Sequence, residues 1–180
     1  MKRIIAIILL LVMVLSLSGC SFVWGVVDTL TEKPFNYALK EYRDSGVSIM
    51  LPMVFYKSNA DEDGVSYTST YGFSSVSVRR ESWDVSRYDY GVSKVEYLEA
   101  MREMTILDES GAFSNIGEVH TEGDLSYFSY DTEMVISFRI FSTVLFTEEW
   151  IYIILMFTVK DSYDEYEPYF KEWAATVKAI

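Results

Sequence analysis

The chain has one thiol and one imidazole, Cys20 and His120, so chemistry built on sulfur or on a ring nitrogen must use one of these two. Zinc or copper would need clustered His or Cys ligands, which a lone histidine does not supply. His120 with one of the many serines could in principle serve nucleophilic catalysis. However, no Gly-x-Ser-x-Gly elbow is present, and the residues around His120 read as a strand, which implies a surface or half-buried ring. Asn59, Asp61, Asp63 and Gly64 occupy positions 1, 3, 5 and 6 of a calcium-loop spacing, but Thr70 stands at position 12 where a bidentate Glu is needed. A solvated acidic turn is the simpler reading. Glu148 and Glu149 are paired carboxylates of the kind glycoside hydrolysis uses, yet neighbours on a strand point to opposite faces, and a hairpin turn accounts for them. Arg79 and Arg80 could clamp an anion but diverge for the same reason. Glycine-rich phosphate loops are absent.

Cys20 has a more informative setting. Lys2 and Arg3 are followed by an uncharged apolar run from Ile4 to Leu17, and Leu17, Ser18 and Gly19 precede the cysteine. A positive n-region, a short apolar h-region and small residues before a cut outline a signal peptide. An uncleaved anchor is the alternative, because no charge occurs between Arg3 and Asp28 and Ile4 to Val27 could cover the roughly 20 residues of a spanning helix. Ser18, Gly19 and Gly25 weaken that helix. A free reactive thiol and an intermolecular disulfide are the remaining readings of a lone cysteine in a secreted chain.

The leader resembles that of bacterial lipoproteins, whose lipobox of Leu, a small residue, Gly or Ala, and Cys is met at all four positions from Leu17 to Cys20. The resemblance implies that the Cys20 thiol receives a diacylglyceryl group bearing palmitate-like chains. It also implies that a dedicated signal peptidase recognises Leu17, Ser18 and Gly19 and cuts before Cys20. The mature protein is then expected on the outer face of the cell membrane or on the outer membrane, held by lipid. Two or more acyl chains hold stably, at about 0.8 kcal/mol per buried methylene.

Charge agrees with a lipid rather than a basic patch as the anchor. The leader holds two of the 15 basic residues and none of the 27 acidic ones, so the mature charge is −14. Such a surface repels nucleic acid and anionic headgroups. Aromatics make up 16% of the residues, with 14 Tyr and 11 Phe, too many for a disordered acidic tail. The tyrosines read as strand formers with amphipathic packing; a stacking surface for sugars or peptides is the sharper alternative.

The periodicity predicts three regions: a signal peptide over 1–19, a tether over 20–35 and one α+β domain over 36–180. Gly46 to Tyr56 is β-rich, with Pro52 pointing to an edge strand or to a strand ending near Leu51. Asn59 to Gly64 is a turn, with Asp63-Gly64 supplying a positive φ. Val65 to Tyr71 and Phe73 to Trp83 form a hairpin about Gly72. Ser93 and Glu96 make a capping box ahead of a helix from Lys94 to Ile106, with Val95, Leu98, Met101 and Thr105 on one face. Strands follow at 118–121, 125–130, 134–147 and 149–159, the last apolar on both faces and so central. A second capping box at Ser162 and Glu165 opens a helix carrying Tyr166, Phe170, Trp173, Val177 and Ile180, with Pro168 tolerable only in the first turn.

This order resembles the PsbP-like superfamily, an α/β/α sandwich that includes many small bacterial lipoproteins. The likeness is carried by the opening Gly46-Val47-Ser48-Ile49-Met50-Leu51-Pro52, by the helix start Val95-Glu96-Tyr97-Leu98 and by the closing Tyr166, Phe170 and Trp173. It implies an antiparallel sheet with helices packed on it, and a binding or accessory module without catalysis; the residues themselves offer no cofactor or metal motif. Its partner would be an envelope protein, peptide or glycan. The competing reading is an envelope hydrolase using carboxylates or His120; a purely structural spacer is a third.

Overall fold

The computed structural model describes residues 33–69, 71, 73–82, 93–132 and 136–180. The expected leader and the lipobox residues Leu17, Ser18, Gly19 and Cys20 lie outside them, as do most of the expected tether and Thr70.

A 3₁₀ turn at Pro34–Asn36 leads into β1 (Leu39–Asp44), which pairs antiparallel with β2 (Val47–Pro52), Asp44 facing Val47. The two residues of this turn, Ser45 and Gly46, both have positive φ, 48° and 79°. That is the handedness a tight hairpin requires to match strand twist. A Cβ on Gly46 would lie 2.7 Å from the Tyr152 hydroxyl, so the position is closed to side chains twice over. β11 (Lys178–Ala179) pairs with the other edge of β2, giving a three-stranded sheet of order β1-β2-β11. The β2 strand is therefore central, not an edge. Pro52 is tolerated because it is the last residue of the strand, beyond the ladder that β11 completes at Val47 and Ser48.

The second sheet has eight strands. It contains β3 (Phe55–Ala60), β4 (Gly64–Ser69), β5 (Ser75–Ser82), β6 (Phe113–Ser114), β8 (Leu125–Thr132), β9 (Phe138–Phe146) and β10 (Trp150–Val159) in the order β3-β4-β5-β10-β9-β8-β6, with β7 (His120–Glu122) paired to β8. Every pairing is antiparallel. The doubly apolar β10 sits between β5 and β9, as its sequence requires. Asn59 and Ala60 belong to β3 rather than to a turn. Gly64 does not have positive φ; it is needed because an added Cβ would stand 2.8 Å from the Val78 carbonyl on the neighbouring strand.

Helix α1 (Lys94–Ile106) carries the expected capping box. The Glu96 N–H donates to Ser93 Oγ at 3.3 Å and the Ser93 N–H donates to Glu96 Oε2 at 2.8 Å. Leu98 is buried and Met101 and Thr105 are half-buried, as the spacing predicts, whereas Tyr97 joins the buried stripe and Val95 is exposed. Ser93→Ala is expected to lose about 1 kcal/mol, read as a lower denaturant midpoint at unchanged slope.

Helix α2 (Tyr163–Ala175) follows a 3₁₀ turn at Lys160–Ser162. Its expected capping box does not form, because Ser162 is spent in that turn and caps nothing with its side chain. Pro168 is the sixth residue of the helix, past the first turn. The residue whose carbonyl loses its donor is Asp164, which lies on the exposed side of the helix. The helix ends before Val177, and Ile180 lies beyond β11, exposed rather than on the helical face.

Alternation along the strands splits the core in two. Tyr127, Phe141, Tyr152, Ile154 and Met156 face α2 and the small sheet, packing with Tyr166, Phe170 and Trp173. Phe128, Tyr130, Val144 and Ile151 face α1, packing with Tyr97 and Leu98. One end of the large sheet holds Thr132, Phe138 and Val159 together with Ser75. Here α2 begins and Lys33 pairs with Glu165. The other end holds Leu125, Phe146, Trp150 and Ser82.

Candidate functional site

The residues singled out by type do not assemble into one centre. Asp61 accepts the Asp63 N–H at 3.0 Å, a local turn, and no group of three or more His, Cys, Asp or Glu among the described residues is placed to hold a metal ion. Glu148 and Glu149 are exposed in the β9–β10 turn, which Thr147 closes by accepting the Trp150 N–H at 2.9 Å. Arg79 is exposed, whereas Arg80 turns to the opposite face and lies 4.5 Å over the Trp150 ring. The structure does bring Arg80 to one shallow hollow of about 320 Å³ with Glu148 and Glu149. His120 is exposed, 5.7 Å from the Tyr127 ring.

A larger cleft of about 410 Å³ opens where α2 ends. The helix is closed by Thr176, whose hydroxyl donates to the Trp173 carbonyl at 2.6 Å and accepts the Met50 N–H at 3.0 Å, tying α2 to β2. The small side chains of Ala174 and Ala175 leave room above the sheet, and Leu125, Leu145, Ile154 and Val177 form an apolar floor. Lys94, Glu122 and Asp124 form the rim, with Lys94 Nζ donating to the Asp124 carbonyl at 3.1 Å.

Glu122 is already engaged. It accepts from Lys171 Nζ and from the Tyr127 hydroxyl, each at 2.7 Å, and Lys171 lies 4.7 Å over the Tyr127 ring. The hydrogen bond from Lys171, then that from Tyr127, holds the Glu122 carboxyl below its usual range. Burial opposes the charge on Lys171, but its hydrogen bonds to Glu122, Tyr127 and Glu167 outweigh that and raise its pKa. The pair stays ionised across the neutral range. In that state Glu122 is an ion-pair partner and hydrogen-bond acceptor, not a proton donor.

Sequence reasoning missed the most buried charge. Asp131 is 0% exposed on β8 and receives Lys160 Nζ at 2.6 Å, Asn115 Nδ2 at 2.7 Å and Arg139 Nη1 at 3.2 Å. Arg139 also donates to Ser129 Oγ at 3.0 Å and lies 5.0 Å over the Tyr163 ring. Burial pushes the Asp131 carboxyl up, yet the Lys160 and Asn115 hydrogen bonds and the Arg139 charge prevail and hold it below the usual range. This cluster clasps β8, β9 and the turn that opens α2. Its members are spread over 115–160, so no local motif announces it.

Half of the described aromatics are buried in the core, Tyr67, Tyr97, Tyr127, Tyr152, Tyr163, Tyr166 and Trp173 among them. A partly exposed set remains near the start of α2, where Phe35 stacks on Tyr169 at 4.1 Å. Tyr37 stacks on Tyr71 at 5.5 Å.

No protein-family model matches the chain, and no curated protein sequence matches it. Solved structures do. A point mutant of Mog1 superposes with TM-score 0.57 at 9% identity, covering 79% of this chain and 96% of that one. The Ran-binding protein Mog1p of Saccharomyces cerevisiae gives 0.56 at 8% identity over 79% and 96%. The cyanobacterial PsbP (CyanoP) of Synechocystis sp. PCC 6803 gives 0.51 at 12% identity over 79% and 93%. Mostly antiparallel sheets with a helix packed on each side of the larger one are thus the α/β sandwich of Mog1 and of cyanobacterial PsbP, and at these identities the likeness is one of fold.

Proposed function

We propose that this chain is a lipid-anchored, extracytoplasmic accessory protein that binds a partner and performs no catalysis. The observation that carries the binding reading is the cleft at the end of α2: an apolar floor of Leu125, Leu145, Ile154 and Val177 inside a charged rim. Pockets of this size with an apolar lining and a few polar groups at the margin suit a side chain or short segment of another molecule. The rim carboxylate Glu122 is neutralised by Lys171 rather than poised for proton transfer, which supports binding over hydrolysis. The fold shared with a Ran-binding protein supports a protein partner.

The anchor rests on the lipobox at Leu17 to Cys20. Cys20→Ala is expected to leave a full-length, uncleaved precursor, whereas the parent chain begins at residue 20 with added glyceride mass. Mass spectrometry of the N-terminal peptide decides this. For the cleft, a photo-crosslinking side chain at Asp124 is expected to trap a discrete partner in intact cells, and one at the distant, exposed Glu62 is not. Identical profiles at the two positions would refute the cleft as the contact site.

A further inference from the structure

Large exposed apolar side chains cluster at one end of this molecule. Leu39 and Met53 are 41 and 59% exposed and meet where β1 starts and β2 stops, the Met53 N–H donating to the Ala38 carbonyl at 2.9 Å. Phe73, 49% exposed, sits in the β4–β5 connection at the same end. On the other face of the large sheet, Met104, Ile106 and Leu107 are 61, 50 and 75% exposed where α1 ends. The direction of α1 is fixed by Lys94 at the Asp124 carbonyl and Arg102 at the Gly117 carbonyl, so its last turn lies toward Phe113 and Thr132. Ile136, 50% exposed, precedes β9 at the same end. Among the described residues, Val95 and Ile180 are the large exposed apolar side chains at the opposite end.

This end is also where the chain arrives from its N-terminal side, at Lys33 against Glu165. We infer that this apolar end seats on the surface of the lipid bilayer to which Cys20 is attached, so that the domain lies against the membrane in a fixed orientation with the α2-end cleft turned away from it. The inference rests on the anchor proposed above. The stretch from Cys20 to Lys33 reaches at most about 45 Å when fully extended. The ten residues of β10 span roughly 33 Å, so presenting the opposite end to the bilayer would use most of that reach, while the apolar end needs little of it. Partly inserted apolar side chains add to a lipid anchor as a second attachment signal, and an apolar patch rimmed by polar residues marks a contact surface.

Charge identifies the kind of lipid. Arg139 and Lys160 set two cations against Asp131 at this end, but Asp161 and Asp164 are exposed beside them. The attraction is therefore apolar, and neutral phosphatidylcholine suffices without any anionic lipid.

The sole cysteine is consumed by the lipid, so an introduced one is uniquely labelled. Leu107→Cys and, at the opposite end, Ile180→Cys would each carry an environment-sensitive fluorophore on the full-length, processed protein in phosphatidylcholine vesicles containing nitroxide lipid. The label at position 107 is expected to be quenched about twofold or more, as for a group at the headgroup boundary, and the label at 180 to be unaffected. Equal, unquenched emission from both positions, with the protein still floating with the vesicles, would overturn the seating and leave the anchor standing. Shielding at 107 without lipid quenching would also overturn it, assigning the surface to a protein. A chain that does not float removes the anchor, and the seating with it.

Discussion

Asp131→Ala is expected to lower the unfolding free energy by about 2–4 kcal/mol, the larger part of it from leaving Arg139 and Lys160 facing each other without the carboxylate between them. Removing one partner of a buried ion cluster leaves the other charges uncompensated. The effect here stays below that of a fully enclosed pair because Lys160 is 38% exposed and water screens it. Asp131→Asn keeps the size and the hydrogen-bonding atoms while deleting the charge, so it should lose less. The same group sets an acid limit. The carboxyl is held below its usual value of 3.8, so the folded state binds its proton less readily than the unfolded chain does. Its contribution is complete above the unfolded value and is lost as pH falls through the folded one. Denaturant midpoints measured from pH 6 downward are expected to fall on the acid side for the parent chain and to fall less for Asp131→Asn. Equal acid limbs would show that other carboxylates govern the transition.

Trp173→Ala is expected to be the most damaging single truncation, at about 3–5 kcal/mol. Trp173 is 1% exposed and sits edge-on to Phe55 at 5.5 Å and to Phe170 at 5.7 Å, bridging α2 to the start of β3. The indole also lies three residues before Thr176, which fastens the end of α2 to β2. A cavity there loosens both ends of that joint. Trp173→Phe retains part of the ring packing and should recover more than half of the loss. Chemical denaturation of both variants checks the order.

The two predictions fall on features of unequal legibility. Trp173 could be placed in the core from the spacing of Tyr166, Phe170 and Trp173 alone, because helical periodicity is written in neighbouring residues. The limits of α1 were equally legible, since the Ser93 and Glu96 box is local chemistry. Asp131 was not, because the side chains that neutralise it come from Asn115, Arg139 and Lys160, which only the sheet pairing brings together. The same holds for β1, whose Lys40, Glu41 and Arg43 give no apolar alternation, and for β11, two residues that are a strand only because β2 offers an edge. Pro52 left two readings open, an edge strand or a strand ending near Leu51, because its missing donor suits either, and the strand order settles on the second. The cleft was invisible because it is a space left by Ala174 and Ala175, and small residues carry no signal of what is absent beside them.

The ladder that joins Val47 and Ser48 to Ala179 and Lys178 has a consequence for how the protein reaches this shape. Contacts between distant parts of a chain form late, since the intervening loop must be ordered first. During emergence from N- to C-terminus, β2 therefore waits with one flank unpaired and with Val47, Ile49 and Leu51 unsheltered until α2 and β11 arrive. That interval is the one in which a holding chaperone, or its absence, decides between productive maturation and aggregation.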